Sequence, residues 1–463
     1  MDEITKTTYT DTTELYKHPR SIQIKASTTR LLLILLHIPL AFLIREFQIL
    51  STLHAYVTLA VGVFIVLTVK DIKKVIPVIT YILGAEVLWR MTDAKIFWEF
   101  GKYSIALILI LSLFRFRHLE RAFLPAFYFL LLLPSIVFTV DAFGISNTTK
   151  EAISFNLSGP LSASLCMIFF LQIKTDFKTL NKWLWSAIYP IIGIFALAAY
   201  NTITANEIVF YGESLYITSG GFGPNQVSAI LGLGAMILIL IAIQKVEPGN
   251  RFWILILALA VLTQTVLTFS RGGVLNILIA LPLALIHLLG SPSKLVKGIL
   301  VFLFIFLIAI FFILPELEAF TGGALLSRYS DFGTTGRWEM VEADIDLWQQ
   351  YPLLGVGPGI STYLRRVNPG IAPHTEYSRM IVEHGIPGIF SLAFLVIIFI
   401  STYFRAPNAY TRATVVALMA WSLLQMSHNA MRLVSPSVIL GLAMVQWDQA
   451  KKVNSGAVKG NST

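Results

Sequence analysis

Four positions in this 463-residue chain pair anion-seeking residue types with predicted helix starts. "GGFGPNQVSAILGL" puts Asn225 and Gln226 at the head of an apolar helical run, and "TFSRGGVLNI" puts Arg271 at the head of another. "TTGRWEM" places Arg337 in the first turn of an amphipathic segment, and "APHTEYS" places His374 in the first turn of its successor. A helix N-terminus offers unpaired N–H groups and a partial positive charge, which favour anions. A guanidinium adds a planar fork that matches phosphate oxygens, so phosphate or pyrophosphate is the expected ligand. The same helix end and the arginines would lower the pKa of His374 and keep it neutral near pH 7. A neutral imidazole can take a proton from an attacking hydroxyl. Glu376, Tyr377 and Ser378 are close enough in sequence to orient that ring or to line the substrate.

Position alone also fits plainer roles. An arginine at a membrane boundary can be a snorkelling anchor, as Arg271 would be, and Arg337 could sit on a solvated helix face. A loop histidine can be surface decoration. "SHNAMR" at 427–432 supplies a rival group, in which His428, Asn429 and Arg432 would line a cleft or cap a short turn. Glu86 and Arg90, spaced i,i+4, read as an internal ion pair. No Cys/His/Asp cluster has metal-ligand spacing, and no phosphate loop or dinucleotide fingerprint occurs, so no metal or cofactor is expected.

The elements that must carry these residues are membrane helices. Of all residues 56% are hydrophobic and 13% charged, and long apolar runs recur throughout. A bilayer core needs about 20 apolar residues per helical span. Continuous apolar runs, without alternation, argue against a β-barrel. The expected fold is an all-α polytopic membrane protein of about 12–14 transmembrane helices. The fourteen candidate runs lie at 31–44, 52–69, 75–92, 101–114, 122–140, 157–173, 183–203, 225–243, 252–268, 273–289, 298–314, 386–404, 413–427 and 433–447. Cys166 lies in an apolar run and reads as packing.

Charge sets the orientation. With the N-terminus in the cytoplasm, the alternate connections on that side hold 23 of the 35 Lys and Arg, leaving 12 for the other side. The expected order is a cytoplasmic tail (1–30) that does not read as a signal peptide, spans with short loops (31–314), and one large outward loop (315–385). Three further spans (within 386–447) and a cytoplasmic tail (448–463) complete it. In a bacterium the loop would be periplasmic or extracellular, and the protein would sit in the inner membrane. Within the loop, Trp338, Val341, Ile345 and Trp348 form one stripe of a helix ended by Pro352, expected on the membrane surface. A second helix follows Pro373 and stops at Gly385.

"GFGPNQVSAI", "FSRGG", "TGRWEMVEADIDLWQQYPLLGVGPG" and "HTEYSRMIVEHGIPG", in this order over about 220–390, resemble the O-antigen ligase and O-antigen polymerase superfamily. The family's histidine motif is His, then Asn, Ser or Gln, then nine residues and Gly-x-x-Gly. Here His374 is followed by Thr375, residues 376–384, Gly385 and Gly388, so the spacing matches and Thr375 departs from the usual amide or serine. The resemblance implies a metal-independent, inverting glycosyl transfer. The donor would be a glycan on undecaprenyl pyrophosphate, and the acceptor a glycan or lipid A–core hydroxyl. Arg271 and Arg337 would hold the pyrophosphate, and His374 would deprotonate the acceptor. Asn225, Glu376, Tyr377, His428 and Arg432 are candidate substrate-lining residues. Membrane lipids and a chain-length regulator are expected partners, and nucleic acid is not. A protein O-oligosaccharyltransferase is the alternative within the class, less favoured because the chain ends 16 residues after the last run. A lipid-linked-oligosaccharide transporter is the alternative from another class; the large one-sided loop and the lack of paired inverted halves weigh against it.

Overall fold

The computed structural model describes residues 26–116, 121–210, 213–244, 250–290, 313–330 and 336–448, with isolated positions between 293 and 311. The expected span 298–314 and both terminal tails lie almost wholly outside the described residues. The chain is an all-α polytopic membrane protein. Among the described residues, six helices are long and apolar enough to cross a membrane, and two shorter apolar helices accompany them.

In order the first helices are α1 (Ala26–Glu46), α2 (Gln48–Thr68), α3 (Ile76–Met91), α4 (Phe100–Phe116), α5 (Phe123–Leu130) and α6 (Ile136–Phe143). They are followed by α7 (Asn147–Phe170), α8 (Phe177–Thr204), α9 (Pro224–Ile243), α10 (Arg251–Leu267) and α11 (Arg271–Ile286). Beyond the undescribed stretch come two short helices (Leu314–Phe320 and Ala324–Ser330), the Arg337 helix (Arg337–Gln350) and one turn at Ser361–Leu364. The kinked helix (Glu376–Arg405), the His428 helix (Ala409–Asn429) and the last helix (Ser435–Ala443) close the fold. Most of the apolar runs coincide with these helices. The run 122–140 instead forms α5 and α6, broken at the "LLLPS" turn by Pro134, which cannot continue a helix ladder.

Small residues bring the helices close. A Cβ on Gly84 of α3 would lie 2.4 Å from the Ala187 carbonyl oxygen of α8. On Gly273 of α11 it would lie 2.0 Å from the Ser228 oxygen of α9, and on Gly232 it would lie 2.7 Å from the Gly273 oxygen. Such backbone approach is how helices pack where lipid offers no hydrophobic gain. It explains the second glycine of "SRGG", Gly273, which presses the start of α11 onto α9.

Polar groups inside the bundle are chained together. The Trp89 indole N–H donates to His54 Nδ1 (2.8 Å), His54 Nε2 meets the Tyr81 hydroxyl (3.0 Å), and that hydroxyl meets His37 Nε2 (3.1 Å). His37 Nδ1 donates to the Leu33 carbonyl (2.7 Å). One set of tautomers satisfies every link, so α1, α2 and α3 are tied without a buried unpaired donor. At the opposite end from the site below, Lys174–Thr175 (β1) pairs in parallel with Gln446–Trp447 (β2), Lys174 facing Gln446. The last helix runs along α7, with Ser437 Oγ on the Gly159 carbonyl (3.1 Å).

Candidate functional site at the helix ends

Arg271 begins α11, as its spacing predicts. The corner before it is fixed by side chains: Ser270 Oγ donates to Asn225 Oδ1 (2.8 Å), and Ser228 Oγ donates to the Ser270 carbonyl (2.8 Å). Asn225 is therefore a brace of the Arg271 corner. Phe269, two residues earlier, is fully buried with φ 56°. A bulky residue in the left-handed region is strained and persists only where its surroundings hold it. Here the buried Arg328 donates Nε–H to the Phe269 carbonyl (2.9 Å).

Arg337 begins the helix Arg337–Gln350. Burial first, and then Arg271 and Arg328, lower its pKa. Arg337 thus feels both other guanidiniums, a repulsion that an anion beside it would relieve. Of the three, Arg328 is the member that the sequence pattern does not single out.

The helix carrying Arg337 turns a face other than its tryptophan stripe into the protein. Trp338 is exposed, and the buried positions are Met340, Asp344 and Leu347. The reason is polar: Asp344 pairs with Arg365 (3.4 Å) and accepts from Ser378 Oγ (2.7 Å). That face packs on the kinked helix, and hydrophobic periodicity is blind to a buried ion pair.

His374 sits just before its helix instead of in the first turn. Thr375 is the N-cap, its hydroxyl accepting from the Tyr377 N–H (3.2 Å), and the helix proper starts at Glu376. A threonine at the motif's second position therefore supplies a cap. The His374 carbonyl accepts from the Ala430 N–H (2.9 Å), and Arg432 Nη2 donates to the carbonyls of Ala372 (2.9 Å) and Pro373 (3.1 Å). Nδ1 of His374 is buried without a hydrogen-bond partner. Burial first, then Arg432, Arg337, Arg365 and His428, pushes the imidazole pKa down to about 3. His374, Arg337, Arg432 and His428 are thus brought together, with Arg271 coupled to them through Arg337.

The turn 430–434 is gripped from several helices. Glu376 accepts from the Met431 N–H (3.2 Å) and Glu86 from the Val434 N–H (2.7 Å). Glu86 pairs with Arg90 (2.9 Å) as its spacing predicts, and Arg90 also donates to the Arg432 carbonyl (3.3 Å) and to Gln226 Oε1 (2.6 Å). Burial, with Arg379 and Arg337 nearby, lowers the Arg432 pKa to about 10.

The remaining candidates hold the site in shape. Glu376 is fully buried and ion-paired with Arg379, which also grips Asn156 Oδ1 (2.6 Å). The Tyr377 hydroxyl donates to the Leu423 carbonyl (2.9 Å). His428 Nε2 contacts Asn276 Oδ1 (3.0 Å), whose amide donates to Gln425 (3.0 Å). The His428 ring covers Gly272, where a Cβ would fall 2.5 Å from it. His428 thus packs directly behind Arg271.

The motif's glycines close the site from the other side. Gly385 (φ 61°) breaks the helix Glu376–Arg405, and the Ile386 N–H is free to donate to the Pro352 carbonyl (3.0 Å). The Gly-rich turn lies against the kink, with Val356 N–H on the Val382 carbonyl (3.0 Å) and Gly357 N–H on that of Glu383 (2.9 Å). A Cβ on Gly388 would lie 1.9 Å from the Met380 oxygen. Gly388→Ala is therefore expected to destabilise the protein by about 1–3 kcal/mol and to lower its thermal midpoint in detergent. An unchanged midpoint would mean that the kink does not close there.

Among the described residues, no group of three or more His, Cys, Asp or Glu side chains is placed to hold a metal ion. No curated protein matches the chain. The family model described as O-antigen ligase matches residues 256–393, under a third of the chain but the part that carries Arg271, Arg328, Arg337 and His374. That match supports the O-antigen ligase and polymerase superfamily for this chain.

Proposed function

We infer that the protein is a glycosyltransferase of the O-antigen ligase type that moves a glycan from undecaprenyl pyrophosphate to an acceptor hydroxyl. In this reading the site faces the outside of a bacterial inner membrane and both termini are cytoplasmic, as the Lys and Arg bias requires. Transfer is inverting and proceeds without a metal. Arg271 and Arg337 hold the pyrophosphate and stabilise the charge that grows on it as it leaves, the kind of electrostatic effect that often dominates catalysis. His374 takes the proton of the attacking hydroxyl. Arg432 fixes the two residues before His374 by their carbonyls and adds a cation beside the imidazole.

The observation that carries the reading is the state of His374: its Nδ1 is buried and unpartnered, and its imidazole is kept neutral by burial and surrounding arginines. A neutral ring among cations can accept a proton, and an arriving dianion makes it a stronger base. The test is conversion of lipid-linked glycan by the purified protein in detergent, where no sealed compartment exists. Glycan leaving its carrier is the expected result; movement of intact glycolipid across sealed vesicles, with no conversion in detergent, would establish a transporter instead. Undecaprenyl-linked glycans from cells lacking the gene then identify the acceptor step. Single repeat units accumulate if the enzyme is a polymerase, and finished chains accumulate if it is a ligase or other terminal transferase.

A further inference from the structure

Beside the His374 site lies a cleft of about 650 Å³, formed where the loop after α3, the first turns of α7 and residues 359–363 meet. Phe97, Trp98 and Tyr363 line it, and they are 53%, 41% and 61% exposed. Glu99, Glu151, Lys150 and Thr362 stand among them. Open aromatic faces beside carboxylates and a hydroxyl are an unusual mixture. An acyl chain would leave these charges unsatisfied, and a phosphate would face two carboxylates against the single Lys150. A sugar ring suits both parts, since its C–H face can lie on an aromatic ring while its hydroxyls donate to carboxylates.

The cleft shares its framework with the site. The Arg90 guanidinium lies 4.2 Å from the centre of the Trp98 ring and donates to the Trp98 carbonyl (2.9 Å), while also holding the Arg432 carbonyl. Asn156, on the cleft wall, binds Arg379, the ion-pair partner of Glu376. The Gly359 N–H, also on the wall, donates to Glu383 Oε1 (2.9 Å).

We propose that this cleft is a saccharide-binding subsite that holds glycan on its way into the His374 site. The proposal deepens the transferase reading and rests on it for the identity of the glycan. The saccharide has two sources, the acceptor and the glycan of the donor. The cleft reaches His374 through Arg90 and Arg432, whereas Arg271 reaches it from α11. In-line displacement with inversion puts nucleophile and leaving group on opposite faces, so the acceptor is the expected occupant.

The test uses Tyr363→Ala and Glu151→Gln, both exposed positions outside the residues assigned to chemistry. In the detergent assay, donor and acceptor are titrated separately. A rise of about tenfold in acceptor KM, with kcat nearly unchanged, is expected for each variant. A rise in donor KM alone would also support a saccharide site and assign it to the donor glycan. In parallel, glycan freed from its carrier by mild acid is titrated against the full-length protein, and the fluorescence change lost in Trp98→Phe is recorded. Neither KM moving, with no Trp98 signal, overturns the proposal. A Trp98 signal from a wild type that transfers nothing would instead sink the reaction and leave the cleft standing.

Discussion

Replacing His374 with alanine is expected to lower kcat by about 10²–10⁴-fold, the usual contribution of a positioned general base. That equals about 2.7–5.4 kcal/mol of transition-state stabilisation at 1.36 kcal/mol per decade. Donor KM should change little, because Nδ1 of the ring is unpartnered in the free protein and the backbone of the loop is held by Arg432 and Ala430. Full activity in His374→Ala would end the assignment. The pH dependence gives a second check. In the free protein the imidazole stays neutral down to about pH 3, so protonation removes the base only below the range usually assayed. kcat/KM, which reports the free enzyme, should therefore show no histidine limb between pH 5 and 8. Once the pyrophosphate lies among Arg432 and Arg337, it offsets the cations that depress the ring, and the acid limb of kcat should move to higher pH. A kcat/KM limb centred near the ordinary histidine value of about 6.5 would contradict the buried, arginine-flanked geometry.

Sequence made the membrane helices and the starts of α11 and the Arg337 helix legible, because each depends on local rules. A bilayer demands apolar length, and a helix needs a start. The spacing His374–Gly385–Gly388 was equally visible, although its cause, a helix broken so that Pro352 can bond across the kink, was not. The contacts that make a site of these pieces join distant segments: Glu86 to Val434, Asn156 to Arg379, and Ala430 to His374. No periodicity encodes such pairs. The same limit hid the inner face of the Arg337 helix, which Asp344 anchors. Glu376 and Tyr377 were singled out for closeness to His374 in sequence, yet their polar atoms are spent on Arg379, Met431 and Leu423. Arg328 needed the fold to acquire a role, and Arg90, legible as the partner of Glu86, needed it to reach Arg432 and Gln226.

Arg337 carries the second large effect. Arg337→Ala is expected to cost about 10²–10³-fold in kcat/KM for donor, the scale on which one preorganised electrostatic contact to a developing charge is lost. Arg337→Lys keeps the charge but loses the planar fork, and should fall between wild type and alanine, with most of its loss in donor binding. A lysine variant equal to wild type would show that bidentate contact is not used there. Removing the charge has a further consequence, because Arg337 is among the cations that hold the His374 pKa down. In Arg337→Ala one depressing charge is gone, so the imidazole should titrate at higher pH than in wild type, and the acid limb of kcat, which the bound pyrophosphate has already raised, should follow. Arg337→Lys should leave that limb nearly in place. A variant that merely damaged folding would lower the rate at every pH without moving the limb. The combination of a large loss and a shifted limb in alanine, against a moderate loss and an unshifted limb in lysine, separates charge from fork at one position.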